Sequence, residues 1–225
     1  MDIHKPKSWH GLREFLKEYG IIVLGVLTAL AFEQAVEALH WRHEVETERR
    51  ALHGEVRANL SALLYRQSEQ ACIDHRLAEI AEVFRRQAHD QPLGLKGPVL
   101  RPQPWIESTG SWQIAVADQA LSHMPLAEKL KFSDAFDAFI AYNIIRERED
   151  DAWRALSLLD NAALLTPADW ATLHADYAEA QGLNQRIRQA IVYPLSRANM
   201  GERPAAPDVG PEVTANEVKF CQPML

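Results

Sequence analysis

The sequence predicts an all-α protein in which an N-terminal transmembrane helix continues into a stalk and then into an antiparallel, bundle-like helical domain. Residues 19–32 (YGIIVLGVLTALAF) contain no charged side chain. Beyond residue 50, apolar residues recur every three or four positions, which is typical of helices with one buried face. The chain has only 10 glycines in 225 residues, and no long stretch alternates apolar and polar residues as a strand does.

The uncharged run is shorter than the roughly 20 apolar residues needed to cross a bilayer, but its flanks extend it. The apolar pattern continues to Leu39, and Lys17 can keep its stem in lipid while its amine reaches the headgroups. Trp9 and Trp41 lie 32 residues apart, about 48 Å of helix, close to the ~40–45 Å of a bilayer with its headgroups. We therefore expect a transmembrane helix over residues 19–39, with Trp9, Lys17, Tyr19 and Trp41 as interfacial anchors.

Two other interpretations of the segment stay open. The cations Lys5, Lys7, Arg13 and Lys17, followed by the apolar run and Ala29-Leu30-Ala31, match the pattern of a cleaved signal peptide. A run of this length is also compatible with the core helix of a soluble protein. An anchor and a signal peptide both place the residues after about position 33 outside the cytoplasm.

Flanking charge predicts the direction of insertion. Residues 1–18 carry four Lys or Arg, whereas residues 33–48 carry only Arg42 beside five glutamates. The positive-inside rule then assigns residues 1–18 to a cytoplasmic arm in the bacterial inner membrane. Residues 40–200 become a helical periplasmic domain, and residues 201–225 a proline-rich C-terminal tail. Arg49 and Arg50, just beyond the counted window, weaken the asymmetry.

Cys72 and Cys221, the two cysteines of the chain, form a candidate disulfide. Both lie on the predicted outer side, where an oxidising compartment allows a bridge. It would close a loop of about 150 residues, worth on the order of 4–5 kcal/mol in the chain-entropy model, and would hold the tail against the domain. The alternative is two unpaired thiols.

Residues 90–104 (DQPLGLKGPVLRPQP) interrupt the helical pattern with four prolines and two glycines and are predicted to be a loop. A helix is expected to resume near Thr109 and to continue through Leu121 until Pro125 breaks it. Thr166-Pro167-Ala168-Asp169 has the features of a helix start: a capping threonine, proline at the first position and an early acid.

No residue combination points to catalysis, and we predict neither an enzyme nor a cofactor or metal. The motifs HExxH, GxSxG and GxGxxG are absent from the sequence, as is the P-loop. His40 and His43 lie on the same side of a helix as Glu37 and Glu44, a spacing that could hold a divalent metal. A solvated charged stalk is the simpler interpretation of these four residues. The charged run over residues 146–151 (REREDD) is likewise interpreted as a solvated helix face.

The expected partners are a lipid bilayer and a protein, either another chain or a second copy. A net charge of −7 without a basic stripe argues against nucleic acid. Gly25, Ala29, Ala31 and Ala35 form a candidate association face, because small residues let transmembrane helices approach closely. A ligand-binding or sensor-like domain is the alternative, with Trp105 and Trp112 lining a groove beside the proline-rich loop.

The N-terminal third resembles a group of uncharacterised bacterial single-pass inner-membrane proteins with an N-terminal anchor and a helical periplasmic domain. The likeness covers roughly residues 8–60. It rests on five elements: Trp9, Lys17-Glu18-Tyr19, the LGVLTALA run of Leu24 to Ala31, Glu33-Gln34 and Trp41-Arg42. The resemblance implies a bacterial membrane-anchored helical protein, and it transfers no catalytic residue.

Overall fold

In the computed structural model, residues 11–198, 201, 215–216 and 218–225 are described, and helices are the regular elements throughout these ranges. The predicted all-α class is confirmed. Within the described ranges up to Arg197, seven α-helices and one 3₁₀ helix follow one another with short breaks, except between α2 and α3. The helices are α1 (Leu12–Ser68), α2 (Gln70–Ala88), α3 (Gly110–Ala117), α4 (Ala120–His123), α5 (Leu126–Leu156), the 3₁₀ helix (Ser157–Leu164), α6 (Pro167–Ala190) and α7 (Val192–Arg197).

The chain divides into two compact units, Met1–Thr47 and Glu48–Leu225. In its described residues the first unit consists of the N-terminal part of α1. The second unit, hereafter the domain, contains the remaining helices and the hydrophobic core.

Only Glu69 separates α1 from α2. Its φ and ψ angles (−73° and −7°) stay in the right-handed helical region, its N–H donates to the carbonyl of Tyr65, and its own carbonyl accepts from Ile73. Backbone hydrogen bonding therefore continues across the junction, and α2 extends α1 after a local irregularity.

The paired residues show that α5 runs parallel to the domain part of α1. Arg49 pairs with Glu128 at the start of α5, with an Nη2–Oε2 distance of 2.9 Å. Arg66, further along α1, pairs with Glu149 near the other end of α5, at 2.7 Å. Helix α6 instead lies antiparallel to α5: Arg148 of α5 pairs with Glu179 of α6, whereas Asp134, nearer the start of α5, pairs with Arg197 beyond the end of α6.

A parallel pair of helices requires a return connection, and residues 89–109 supply it. This segment, the return strap, includes the predicted proline-rich loop. Val99 N–H donates to Asp160 Oδ1 beyond the end of α5 at 2.6 Å. Nine residues later, Ser108 exchanges two hydrogen bonds with the side chain of Asn59 on α1. The strap thus runs back along the domain from the end of α2 to the start of α3.

The C-terminal residues pack on α2 at the far end of the domain. Cys221 is joined to Cys72 by a disulfide, with the two Cα atoms 4.9 Å apart. The buried ring of Phe220 contacts Trp153 edge-on, and Met224 is also buried. Glu79 Oε1 accepts the N–H of Met224 at 2.6 Å. Both side chains and backbone of the chain end are therefore part of the core.

Helix starts follow local chemistry closely. Thr166 and Asp169 form a reciprocal capping box at the start of α6, with Pro167 in the first turn, which confirms the predicted start. The helix expected to run to Leu121 ends instead at Ala117, because Asp118 is extended and its carboxylate accepts the N–H of Ala120 to begin α4.

Candidate functional site

The apolar N-terminal segment of α1, residues 12–39, leaves its side chains exposed. It contains a stretch of 18 residues with mean hydropathy 1.8, long and apolar enough to cross a membrane, and no part of that stretch is buried. Val23 is partly exposed. The other large apolar side chains are 49–79% exposed: Leu12, Phe15, Leu16, Tyr19, Ile21, Ile22, Leu24, Val26, Leu27, Leu30, Phe32, Val36 and Leu39.

Such a surface is unfavourable in water, since each Å² of exposed apolar area costs about 25 cal/mol relative to burial. The helical backbone, in contrast, satisfies its own hydrogen bonds and can therefore lie in hydrocarbon. The hydroxyl of Thr28, in the middle of the run, donates to the carbonyl of Leu24 at 2.7 Å. The segment is therefore compatible with an apolar surrounding at both backbone and side-chain level.

Aromatic side chains stand near both ends of the apolar segment. Tyr19 stacks with Phe15, and Trp41 Nε1 donates to Glu37 Oε1 at 3.3 Å. Tyr19 and Trp41 are 22 residues apart, about 33 Å of helix, close to the ~30 Å hydrocarbon thickness of a bilayer. Lys17 is exposed beside Tyr19. The fourth predicted anchor, Trp9, lies outside the described residues.

The four small residues of the candidate association face form two pairs on α1. Gly25 and Ala29 are four positions apart, as are Ala31 and Ala35, so each pair lies within about 40° around the helix. The six-residue step from Gly25 to Ala31 rotates the second pair by roughly 240°. Ala31 and Ala35 line a hollow of about 480 Å³ with Leu27, Thr28 and Phe32. A Cβ on Gly25 would meet nothing within 4 Å.

Buried charges join α1, the return strap and α5 in the domain. Glu149 is fully buried and accepts from Arg66 Nη2 at 2.7 Å, while its second oxygen pairs with Arg146. Arg146 also donates to the carbonyl of Gln103 in the strap at 2.8 Å. Burial lowers the pKa of both arginines. The prediction that residues 146–151 form a solvated face is therefore wrong for Arg146 and Glu149, because the strap and α1 cover them.

Glu107, near the C-terminal end of the strap, is a second buried carboxylate. The side chain of Asn143 on α5 makes two hydrogen bonds to its backbone, accepting from Glu107 N–H and donating to the Glu107 carbonyl. Burial raises the pKa of Glu107 to about 7, although the positive charge of Arg146 opposes the shift. Tyr142 beside these charges also has a raised pKa because it is buried. These groups hold helices and strap together.

The two tryptophans proposed to line a ligand groove do not converge. Trp105 packs edge-on against Tyr65, whereas Trp112 stacks on Phe136 with ring centres 5.4 Å apart. Trp105 alone lines a pocket of about 290 Å³. The other lining residues are Pro104, Ile106, Arg146, Glu147, Asp150, Asp151 and Arg154.

A larger open groove of about 820 Å³ lies between α2 and α6, and sequence reasoning missed it. Gln181, Gln185 and Gln189 recur at four-residue spacing along α6 and line it, a signal that the sequence does contain. At one side, Asp74 of α2 accepts from Asn184 at 2.9 Å and pairs with Arg188 at 3.2 Å. The groove is polar and wide, and its charged groups already bond to each other.

Within the part of the chain that the structure describes, no three His, Cys, Asp or Glu side chains come together as a metal site. His40 is in ring contact with Trp41, and Glu37 accepts from the same indole. Comparison with known proteins finds no family model, no curated protein and no solved structure that matches the chain.

Proposed function

We propose that this chain is a single-pass, membrane-anchored helical interaction protein, acting as an accessory subunit or self-associating scaffold. In this proposal the protein lies in the bacterial inner membrane, with a cytoplasmic N-terminus and a bundle-like domain in the periplasm. The observation that carries the proposal is the uncovered apolar segment of residues 12–39, in a chain whose domain buries most of its large apolar side chains.

Anchoring explains this segment better than the two alternatives do. A soluble core helix would have its apolar side chains covered by the same chain, whereas these are exposed around the helix. A cleaved signal peptide does not need to be continuous with a folded domain, but α1 extends from Leu12 to Ser68 without a break. A membrane helix continuing into the first domain helix accounts for both features.

The direction of insertion is supported by charge and by the disulfide. The cations before the segment favour the cytoplasm for the N-terminus. The bond between Cys72 and Cys221 fits an oxidising compartment for the domain. Both observations favour the same side for residues 48–225.

A binding role is favoured over catalysis by how the polar groups are used. The buried charges of Arg66, Arg146 and Glu149 bond to each other and to the strap, so they stabilise the domain. For contact with another membrane helix, the pair of Ala31 and Ala35 is preferred, because it borders an open hollow on α1.

The test is topology mapping in intact cells with a membrane-impermeant maleimide. Ser8→Cys and Ser157→Cys place one reactive thiol in the N-terminal arm and one at an exposed position after α5. We expect Ser157→Cys to react from the periplasm and Ser8→Cys only after lysis, with both variants remaining in the carbonate-washed membrane fraction. Labelling of residue 8 from outside would reverse the orientation, and release by carbonate would remove the anchor.

A periplasmic ligand-binding or sensor-like domain is the second candidate, favoured by the pocket of about 290 Å³ at Trp105. Binding of a small molecule there should quench or shift the fluorescence of Trp105. Trp105→Phe should abolish that signal, whereas Trp112→Phe, on a different part of the domain, should preserve it.

A further inference from the structure

The open groove between α2 and α6 has one wall of three amide side chains. Gln181, Gln185 and Gln189 line it, and successive ones stand four residues apart on α6, about 6 Å along the helix axis. Each amide carries two N–H donors and an acceptor oxygen. Gln181 donates one N–H to the hydroxyl of Tyr177 at 2.6 Å. Gln185 and Gln189 are exposed, and within the described residues neither has a hydrogen-bond partner.

The opposite wall, on α2, is less polar in its middle. Asp74 of α2 accepts from Asn184 of α6. Phe84, further along α2, contacts Tyr177, which comes earlier on α6, so the two helices run antiparallel. Ala78 lies between Asp74 and Phe84 and lines the groove. Its methyl group leaves the middle of this wall without a hydrogen-bonding side chain, opposite the amides of α6.

Gly182 keeps the groove open beside the amides. It lies inside α6, and a Cβ at this position would meet nothing within 4 Å. Glycine in a helix interior is less stable than alanine, because it loses more backbone freedom on folding. The packing of the domain does not require this glycine, since the space beside it is open. A helix without a side chain at this point does let the main chain of a ligand approach closely.

The spacing of the amides matches an extended polypeptide. Such a chain repeats every two residues, about 6.6 Å, against about 6 Å between successive glutamines on α6. The N–H and C=O groups of alternate residues lie along the same edge of an extended chain, where an amide can accept from the first and donate to the second. Successive amides also turn by about 40° around α6, which the three torsions of a glutamine side chain accommodate.

We propose that this groove binds an extended peptide segment of a partner protein and that the three glutamines hydrogen-bond to its backbone. The inference deepens the proposed interaction role and rests on it. Backbone hydrogen bonds supply affinity without demanding one sequence. The charged side chains of the groove, Asp74 and Arg188, already pair with each other at 3.2 Å, so they do not require a peptide of either charge.

The test uses the full chain in detergent and a capped heptapeptide of alternating alanine and threonine with photoreactive p-benzoylphenylalanine at its centre. Irradiation followed by mass spectrometry locates the contact, and we expect cross-links to Ala78 and to residues 177–189. The same peptide with N-methyl groups on alternate residues should cross-link at least several-fold less. It lacks the N–H groups that the glutamine oxygens accept.

Gly182→Leu separates binding from folding. Leucine is a better helix former than glycine, so the domain should unfold at the same or a higher temperature. The new side chain fills the groove and should lower the cross-linking yield at least several-fold, as should Gln185→Ala combined with Gln189→Ala. Gly54→Leu is the matched control, because Gly54 is an exposed glycine of α1 that also has open space beside it. This variant should keep the yield of the unmodified chain.

Three outcomes overturn the proposal. One is a set of cross-links that avoids Ala78 and residues 177–189. Another is an equal yield for the parent and the N-methylated peptide, or for the unmodified chain and Gly182→Leu. The third uses p-benzoylphenylalanine in place of Gln185: its reaction with residues 202–214 of the same chain assigns the groove to the chain's own tail. Each of these preserves the membrane anchor, which carbonate extraction and topology mapping test separately.

Discussion

Helix α1 contains two regions that have the same backbone and opposite surroundings. Leu24, in the N-terminal segment, is 67% exposed, whereas Leu52, 28 residues further along the helix, is fully buried. Both are leucines in uninterrupted helix, so neither residue type nor secondary structure explains the difference. What differs is the pattern around them. Apolar residues surround the helix on all sides near Leu24 and form one stripe near Leu52.

The comparison shows that the arrangement of apolar residues around a helix indicates whether protein or lipid covers them. A one-sided stripe can be covered by neighbouring helices, as occurs after residue 48. An apolar surface on all sides needs several neighbours or a lipid bilayer, and none of the 18-residue apolar stretch is buried in the described part of the chain. We therefore expect perturbations of the domain to change its free energy of unfolding, and perturbations of the apolar segment to change membrane association.

The largest effect on the domain is expected from the disulfide. Cys72→Ser should lower the free energy of unfolding by about 4–5 kcal/mol in the chain-entropy model, because the bond closes a loop with a sequence separation of 149. Urea denaturation of the detergent-solubilised protein measures it. Cys221→Ser and the double variant should lose the same amount. A larger loss in the double variant would indicate that each cysteine acts separately.

The buried ion cluster should come next. Glu149→Ala leaves Arg66 and Arg146 buried without their carboxylate, and we expect a loss of about 3–5 kcal/mol in the free energy of unfolding. Glu147→Ala is the matched control, because Glu147 is exposed on the same helix and should change stability by less than about 0.5 kcal/mol. Equal losses for the two variants would contradict the buried cluster.

A pair of leucine substitutions tests the comparison within α1 directly. Leu52→Ala should cost about 2–5 kcal/mol, since it opens a cavity in the domain core. Leu24→Ala removes the same atoms from a side chain that contacts no core and should leave the unfolding of the domain unchanged. The measurement is the midpoint temperature of thermal unfolding of the domain, followed by the loss of helical circular dichroism. Comparable shifts would mean that the N-terminal segment is also packed against protein.

The smallest effect is a pH dependence from Glu107. Its pKa is raised to about 7 by burial, above the ordinary value of 4.5 that applies to the unfolded chain. The folded state therefore binds a proton that the unfolded state has already released, so the free energy of unfolding should fall as the pH rises from about 4.5 to about 7. Urea titrations at pH 5 and pH 7.5 measure the slope. Glu107→Gln should flatten the dependence of the free energy of unfolding on pH. An unchanged slope in this variant would mean that other groups cause the pH dependence.

Much of the secondary structure could be predicted from the sequence because it is determined locally. The helix start at Thr166 follows from a hydrogen bond between residues three positions apart. The proline-rich loop follows from the missing amides and restricted angles of its prolines. The apolar segment was recognisable as a candidate span from 14 consecutive uncharged residues.

Other features depended on residues far apart in sequence. The periodicity of residues 146–151 could not show that Arg146 and Glu149 are buried, because the covering groups come from Arg66 and from the strap residue Gln103. The groove between α2 and α6 likewise depends on how two helices pack that are separated by the 78 residues from 89 to 166.

The sequence by itself determined that the chain is helical, where several helices begin, and that residues 19–32 carry no charged side chain on any side of the helix. These properties depend on propensity, capping and periodicity over a few residues. Only the tertiary structure decided that α5 runs parallel to α1, that the return strap makes this connection, and that three charges of the helices are buried together. Such choices depend on which distant surfaces cover each other, and no short stretch of sequence contains that information.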